Sequence, residues 1–316
     1  MTSERVTSTQ LEISAAHVCY NIPHTLMAVV DHSGTISTWQ RDGQSREWIP
    51  GPAWTSGGLA INCICWAPPE FGNILCTGTG QGTVLVWAQT SHGQWEKRAH
   101  IPASTHAALD ACFAPRQMGP IVSIAFSDGS VKLFIAASSL NAVSWDPHSE
   151  FQLDRDAKAC TSVSWREFDP ALPPLLAIGS AGGGGCGEVW MFREQLLRWE
   201  QVQQLKSSSP DMDDDGSNNN QGGISAVAWA PRLGRPYDLI AVASGHRVTL
   251  WSLTGAVDAL EVKRVAVLDH DHDVWQLGWN MLGNWLAAST DGGEVCMWRP
   301  DLAGEWLQKN LIISRK

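Results

Sequence analysis

Apolar positions along this chain alternate with polar ones or run four to six together, and each run stops at a turn containing Gly, Asp or Pro. Such runs are rich in β-branched residues and too short for helices, so they predict short strands. Six of them follow a turn signal and close on an aromatic. They are Gly34-Thr-Ile-Ser-Thr-Trp39, Gly82-Thr-Val-Leu-Val-Trp87, Gly129-Ser-Val-Lys-Leu-Phe134, Gly187-Glu-Val-Trp-Met-Phe192, His246-Arg-Val-Thr-Leu-Trp251 and Gly293-Glu-Val-Cys-Met-Trp298. Successive closing aromatics lie 48, 47, 58, 59 and 47 residues apart. Each has an upstream aromatic partner: Tyr20, Trp66, Phe113, Trp165, Trp229 and Trp279. Repetition at this period is the mark of stacked repeat units.

Between the two aromatics of each pair the pattern predicts a second short strand: Leu26–Val30, Ile74–Gly78, Ile121–Ala125, Leu175–Gly179, Leu239–Ala243 and Trp285–Ser289. A more polar strand follows the closing aromatic, as in Trp95–His100 and Val262–Asp269. Each unit is therefore four short strands, a twisted sheet that cannot bury both faces alone. Sheets of this kind stack around an axis, and the chain is predicted to be all-β, a six-bladed open β-propeller of WD40 type spanning 1–316 as one domain. The WD dipeptide itself is worn away, the residues after the closing aromatics being Gln40, Ala88, Ile135, Arg193, Ser252 and Arg299. Two segments break the period. Unit four is lengthened by Phe168–Pro174 and by the glycines 182–185, and residues 207–223 (SSSPDMDDDGSNNNQGG) read as a disordered acidic and Asn-rich loop.

Composition narrows the function. The 316 residues hold 17 Trp against 2 Tyr, and the paired Trp residues are expected as core between blades. Trp48, Trp54, Trp95, Trp145, Trp199 and Trp306 fall outside the pairs, which makes some of them candidate partner anchors. The net charge of −10 has the wrong sign for gripping a phosphate backbone. No apolar run approaches the length of a membrane span, and the first residues lack a signal-peptide core. The eight Cys residues include no CxxC pair and sit mostly in apolar runs, so they read as buried thiols rather than disulfides or zinc ligands.

Candidate chemistry is thin. The glycine run 182–187 (GGGGCG) leads into a strand rather than a helix and lacks a Lys-Ser/Thr ending, so it reads as a hairpin loop, not a phosphate cradle. Asp269-His-Asp-His-Asp273 is the densest set of potential ligands, but it lies where one blade hands over to the next. Anchoring of the turn is the favoured reading there, ahead of a metal site. No GxSxG elbow or other nucleophile motif stands out. No catalytic residue, cofactor, metal or small-molecule substrate is assigned.

Individual stretches then resemble a known family. Trp66-Ala-Pro-Pro-Glu-Phe-Gly72, Phe113-Ala-Pro-Arg-Gln-Met-Gly119, Trp229-Ala-Pro-Arg-Leu-Gly-Arg235 and Val274-Trp-Gln-Leu-Gly-Trp-Asn280 are similar to the Seh-type nucleoporins, relatives of the WD protein in the COPII vesicle outer coat. The resemblance covers the chain in order. It implies a non-enzymatic scaffold subunit of the Y-shaped coat of the nuclear pore complex, at the nuclear envelope, supporting transport of mRNA and protein. The partner it implies is an α-helical scaffold nucleoporin that donates a blade in trans, alongside other Y-complex subunits. A second implied setting is a nutrient-sensing complex at the lysosomal or vacuolar surface. A generic WD40 peptide-binding adaptor and a vesicle-coat subunit are the rival readings.

The count of units agrees, because six are present and the residues after Trp306 are too few for a seventh. Blades one and six would then flank a seam of unpaired strand edges. Strand addition by a partner satisfies such a seam. The candidate seam residues are Cys19, Leu26, Val29 and Ile36 on one side, with Leu277, Leu286, Val295 and Met297 on the other.

Overall fold

Each repeat folds into one four-stranded antiparallel sheet with its strands in sequence order. The structure is a computed structural model and describes residues 15–137, 143–153, 159–182, 186–206, 223–255 and 259–313. Blade one holds β1 (His17–Tyr20), β2 (Leu26–Val30), β3 (Thr35–Arg41) and β4 (Trp48–Thr55). Blade two holds β5 (Ile61–Trp66), β6 (Ile74–Thr79), β7 (Thr83–Gln89) and β8 (Trp95–Pro102). Blade three holds β9 (Ala108–Phe113), β10 (Ile121–Phe126), β11 (Ser130–Ala136) and β12 (Trp145–Gln152). Blade four holds β13 (Cys160–Trp165), β14 (Leu175–Ser180), β15 (Cys186–Arg193) and β16 (Arg198–Lys206). Blade five holds β17 (Ile224–Trp229), β18 (Asp238–Ser244), β19 (Arg247–Thr254) and β20 (Glu261–Asp269). Blade six holds β21 (Val274–Trp279), β22 (Leu286–Thr290), β23 (Glu294–Pro300) and β24 (Trp306–Ile313).

The aromatics that define the repeat become cross-strand neighbours. Trp66 pairs with Leu75, which pairs in turn with Trp87, and the same ladder recurs as Trp229, Ile240 and Trp251. Side chains alternate across each sheet, so a strand that is apolar throughout serves two neighbours. In blade two, Leu75, Leu85 and Trp87 join Ala28, Val30 and Ile36 of blade one, while Cys76, Val84 and Val86 join Ala108 and Phe113 of blade three. Comparable clusters lie between blades three and four, four and five, and five and six. Five apolar clusters thus hold six blades among the described residues.

The turns between second and third strands keep the sheets close. Gly82 has φ +77°, and a Cβ there would collide with the carbonyls of Ser104 and His106, which is why the turn carries glycine. Residues 207–222 and 183–185, to which the acidic-loop and glycine-run readings apply, lie outside the described residues.

The unpaired tryptophans correct one expectation. Trp95 packs edge-on to Trp66 at 5.7 Å, Trp199 to Trp165 at 5.8 Å, Trp306 to Trp279 at 5.8 Å and Trp145 to Phe113 at 6.2 Å between ring centroids. Trp54 stacks on Trp95 across the boundary of blades one and two at 5.0 Å. These fourth-strand indoles cap the interblade cores instead of waiting for a partner. Trp48 is the exception in setting: it packs on Tyr20, at 5.6 Å, in the blade that opens the chain.

Candidate interaction site at the seam

First strands pack side by side around the axis, β1 on β5, β5 on β9, β9 on β13, β13 on β17 and β17 on β21. Among the described residues β21 and β1 share no packing of this extent. Exposure follows directly. In β17 every residue but Ser225 is buried, whereas in β21 Trp275 is 52% exposed and Gln276 and Gly278 are exposed. In β1, Val18 is 36% and Tyr20 46% exposed. Tyr20 is surface where Trp66, Trp165 and Trp229 hold the same position as core, because among the described residues blades one and six each lack a neighbouring sheet on one side.

The eight seam candidates divide by face. Cys19, Leu26 and Ile36 pack into the cluster between blades one and two. Leu277 and Leu286 pack into the cluster between blades five and six. These five serve contacts within the chain, and the seam assignment gives way to that packing. Val295 and Met297 alternate with the buried Cys296 and Trp298 and so face away from blade five, partly exposed. Val29 likewise faces away from blade two, with Met27, but the two are 2% and 3% exposed, so the middle of that face is already shielded. The open part of the seam is Val18, Tyr20, Trp275, Val295 and Met297.

Three of those five escape a reading of the pattern. Tyr20 is the aromatic partner of Trp39 and reads as core; only the missing neighbour exposes it. Trp275 stands second in its strand, where the other blades carry Asn62, Leu109, Thr161 and Ser225. A large aromatic at a position where no other of these blades carries an aromatic is the signal that marks it.

The axis encloses a cavity of about 780 Å³ lined by the first strands of all six blades, with Asp110 in its wall. Asp110 Oδ2 accepts from Ser162 Oγ (3.0 Å) and Val163 N (2.9 Å), and Ser162 Oγ accepts in turn from Val227 N (3.2 Å). The carboxylate thereby clips blades three, four and five together. Burial outweighs these bonds and pushes its pKa up to about 6. The folded state therefore takes up a proton between about pH 6 and pH 4 that the unfolded chain does not. The stability this supplies is complete at acid pH and is lost as pH rises through 6. We expect Asp110→Asn to lack this dependence, so that its stability relative to wild type improves from pH 4 to pH 7.5. The gain is no more than about 3 kcal/mol because channel water screens part of the charge. Urea titrations of both chains at the two pH values check it, and a constant difference between them counts against it.

The acid–histidine segment acts as a turn anchor. His270 Nε2 accepts from Trp298 Nε1 at 3.1 Å, tying the handover between blades five and six to β23, and burial lowers the His270 pKa. Among the described residues no three His, Cys, Asp or Glu side chains come together as metal ligands. All eight cysteines are free thiols, and burial pushes the Cys112 thiol up to about 12. No helix of the described residues is long and apolar enough to cross a membrane.

No protein-family model matches the sequence. Curated relatives do. Nucleoporin SEH1 of Xenopus tropicalis is 25% identical over 304 residues, covering 89% of this chain and 80% of that protein. Protein SEH1 of Arabidopsis thaliana is 28% identical over 322 residues, covering 89% and 95%. Nucleoporin SEH1 of Homo sapiens is 24% identical over 304 residues, covering 89% and 80%. Among solved structures, a protein from Lactobacillus plantarum superposes with a TM-score of 0.68 at 11% identity, over 95% of this chain and 85% of that one, a likeness of fold alone. Along 89% of its length the sequence of this chain, which folds as a six-bladed propeller, resembles those of the SEH1 nucleoporins of animals and plants.

Proposed function

We propose that this chain is a non-enzymatic scaffold subunit of the nuclear pore, whose seam accepts a β-blade from an α-helical scaffold nucleoporin of the Y-shaped coat. The observation that carries the reading is the contrast between β17, buried at every residue but Ser225, and β21 and β1, where Gln276, Gly278, Val18 and Tyr20 are exposed and Trp275 stands 52% exposed beside them. Apolar sheet faces are stable only when covered. A sheet entering between blades one and six covers Val295 and Met297 together with Trp275 and Tyr20. An interface of about 1,000 Å² or more on each side makes that association near-obligate. The names of the curated relatives support the pore as its setting, and with it a role in transport of mRNA and protein across the nuclear envelope. The nutrient-sensing setting at the lysosomal or vacuolar surface rests on resemblance alone.

The test is recovery of the tagged full chain from its native cells, followed by co-expression with the helical protein it brings down. The reading expects a 1:1 complex that is monodisperse where the chain alone aggregates or melts early. A chain that is monomeric and equally stable alone, with no stoichiometric helical partner, overturns it.

A further inference from the structure

Interfaces already formed inside the chain repeat two polar clips. In the first, the second residue of one inner strand donates to the carbonyl of the first residue of the next strand. Asn62 Nδ2 reaches Ala108 O (3.1 Å), Thr161 Oγ1 reaches Ile224 O (2.6 Å) and Ser225 Oγ reaches Val274 O (2.5 Å). In the second, the upstream aromatic that ends an inner strand reaches back with its indole to the carbonyl just before the corresponding upstream aromatic of the previous blade. Trp66 Nε1 donates to Cys19 O (3.2 Å) and Trp279 Nε1 to Ala228 O (3.0 Å). Where blade three carries Leu109 at the second position, Asp110 beside it makes the link to blade four instead.

Both clips arrive at the seam with one half missing. On blade six the second position is Trp275, exposed in the channel wall, and the residue before the upstream aromatic Trp279 is the exposed Gly278. On blade one the upstream aromatic that ends the inner strand is Tyr20, held by stacking on His24 at 5.7 Å, with no hydrogen bond from its hydroxyl among the described residues. A donor on each flank, and on blade six the carbonyl that in other blades takes an indole as a second hydrogen bond, are what a further interblade interface, continuous with the five already made, requires.

We propose that Tyr20, Trp275 and the Gly278 carbonyl set the register of the incoming blade, an inference that rests on the seam reading above. The occupant is a foreign inner strand lying between β21 and β1 in phase with both. Its first carbonyl faces the Trp275 indole N–H. The carbonyl before its closing residue faces the Tyr20 hydroxyl. Its closing residue is an N–H or O–H donor that reaches Gly278 O.

The probe is the recombinant form of the stoichiometric helical protein that co-purifies with the tagged chain. Tyr20→Phe and Trp275→Ala alter exposed groups, so both chains should keep the wild-type melting temperature and each should bind the probe about tenfold more weakly, the loss of one well-placed hydrogen bond with its packing. Photo-crosslinking residues placed at 20 and 275 should react with one partner strand at sites about four residues apart. Unchanged affinity in both variants, or crosslinks to separate partner segments, overturns the register while leaving the seam reading intact. Crosslinks into a second copy of this chain, or into its own residues 1–14, overturn the foreign occupant. Loss of binding in neither these variants nor Met297→Asp removes the seam reading itself.

Discussion

Met297→Asp is expected to leave the fold intact and to weaken capture of the helical partner by roughly a hundredfold or more. Met297 lies on the face of blade six turned away from blade five and is partly exposed in the free chain, so a carboxylate there stays hydrated until a partner arrives. Covering that face strands the charge against apolar side chains, and the cost falls on association alone. Circular dichroism and a melting curve of the free chain establish that it folds; titration calorimetry against the partner reads the affinity. Cys296→Asp, one residue away, is the contrasting control. Cys296 is 5% exposed in the cluster between blades five and six, so that variant should unfold rather than fail to bind. Wild-type affinity in a folded Met297→Asp chain would falsify the seam as the docking surface.

Asp238→Ala should be among the most destabilising single changes in the chain. Asp238 opens β18 in blade five, and its carboxylate pairs with Arg166, which follows β13 in blade four. The Arg166 Nε lies 3.0 Å from Oδ2 and 3.1 Å from Oδ1, and Oδ1 also accepts from Trp229 Nε1 at 3.3 Å. The two side chains are 4% and 10% exposed, so removing the carboxylate leaves a buried guanidinium without its main partner. Losses of this kind run to about 3–5 kcal/mol. Asp169, 3.9 Å from Arg166, holds the expectation to the lower end. The corresponding fall in melting temperature is roughly 5–10 °C. Replacing both partners by apolar residues, Arg166→Met with Asp238→Leu, should recover most of the loss, because no unpaired charge remains. A single variant that melts with wild type, or a double variant no better than the single, contradicts this account.

Strand order and blade number were legible because both follow from local alternation and from the spacing of the aromatics. The second strands begin within a residue of their expected starts, as at Ile74, Ile121 and Leu175. Which face each strand residue presents was far less legible. Leu286 and Met297 look alike as apolar residues in strands of one blade, yet Leu286 is fully buried against blade five and Met297 faces the seam. Alternation decides that two neighbours differ in face, but not which of them faces the adjacent blade. The fourth-strand tryptophans illustrate the same gap. Their spacing of 29 residues from Trp66 to Trp95 and 27 from Trp279 to Trp306 recurs, but the chain alone does not say that they fold back over the inner aromatics.

By itself the amino-acid sequence determined that this protein is built from six four-stranded units, since hydrophobic period and turn residues act over a few positions at a time. Tertiary structure alone decided that Tyr20 and Trp275 are surface while Trp66, Trp165 and Trp229, at the same position in their blades as Tyr20, are core. The reason is physical. Burial in a ring of sheets depends on whether another sheet stands alongside, and that is a property of the assembled ring that no stretch of chain carries on its own.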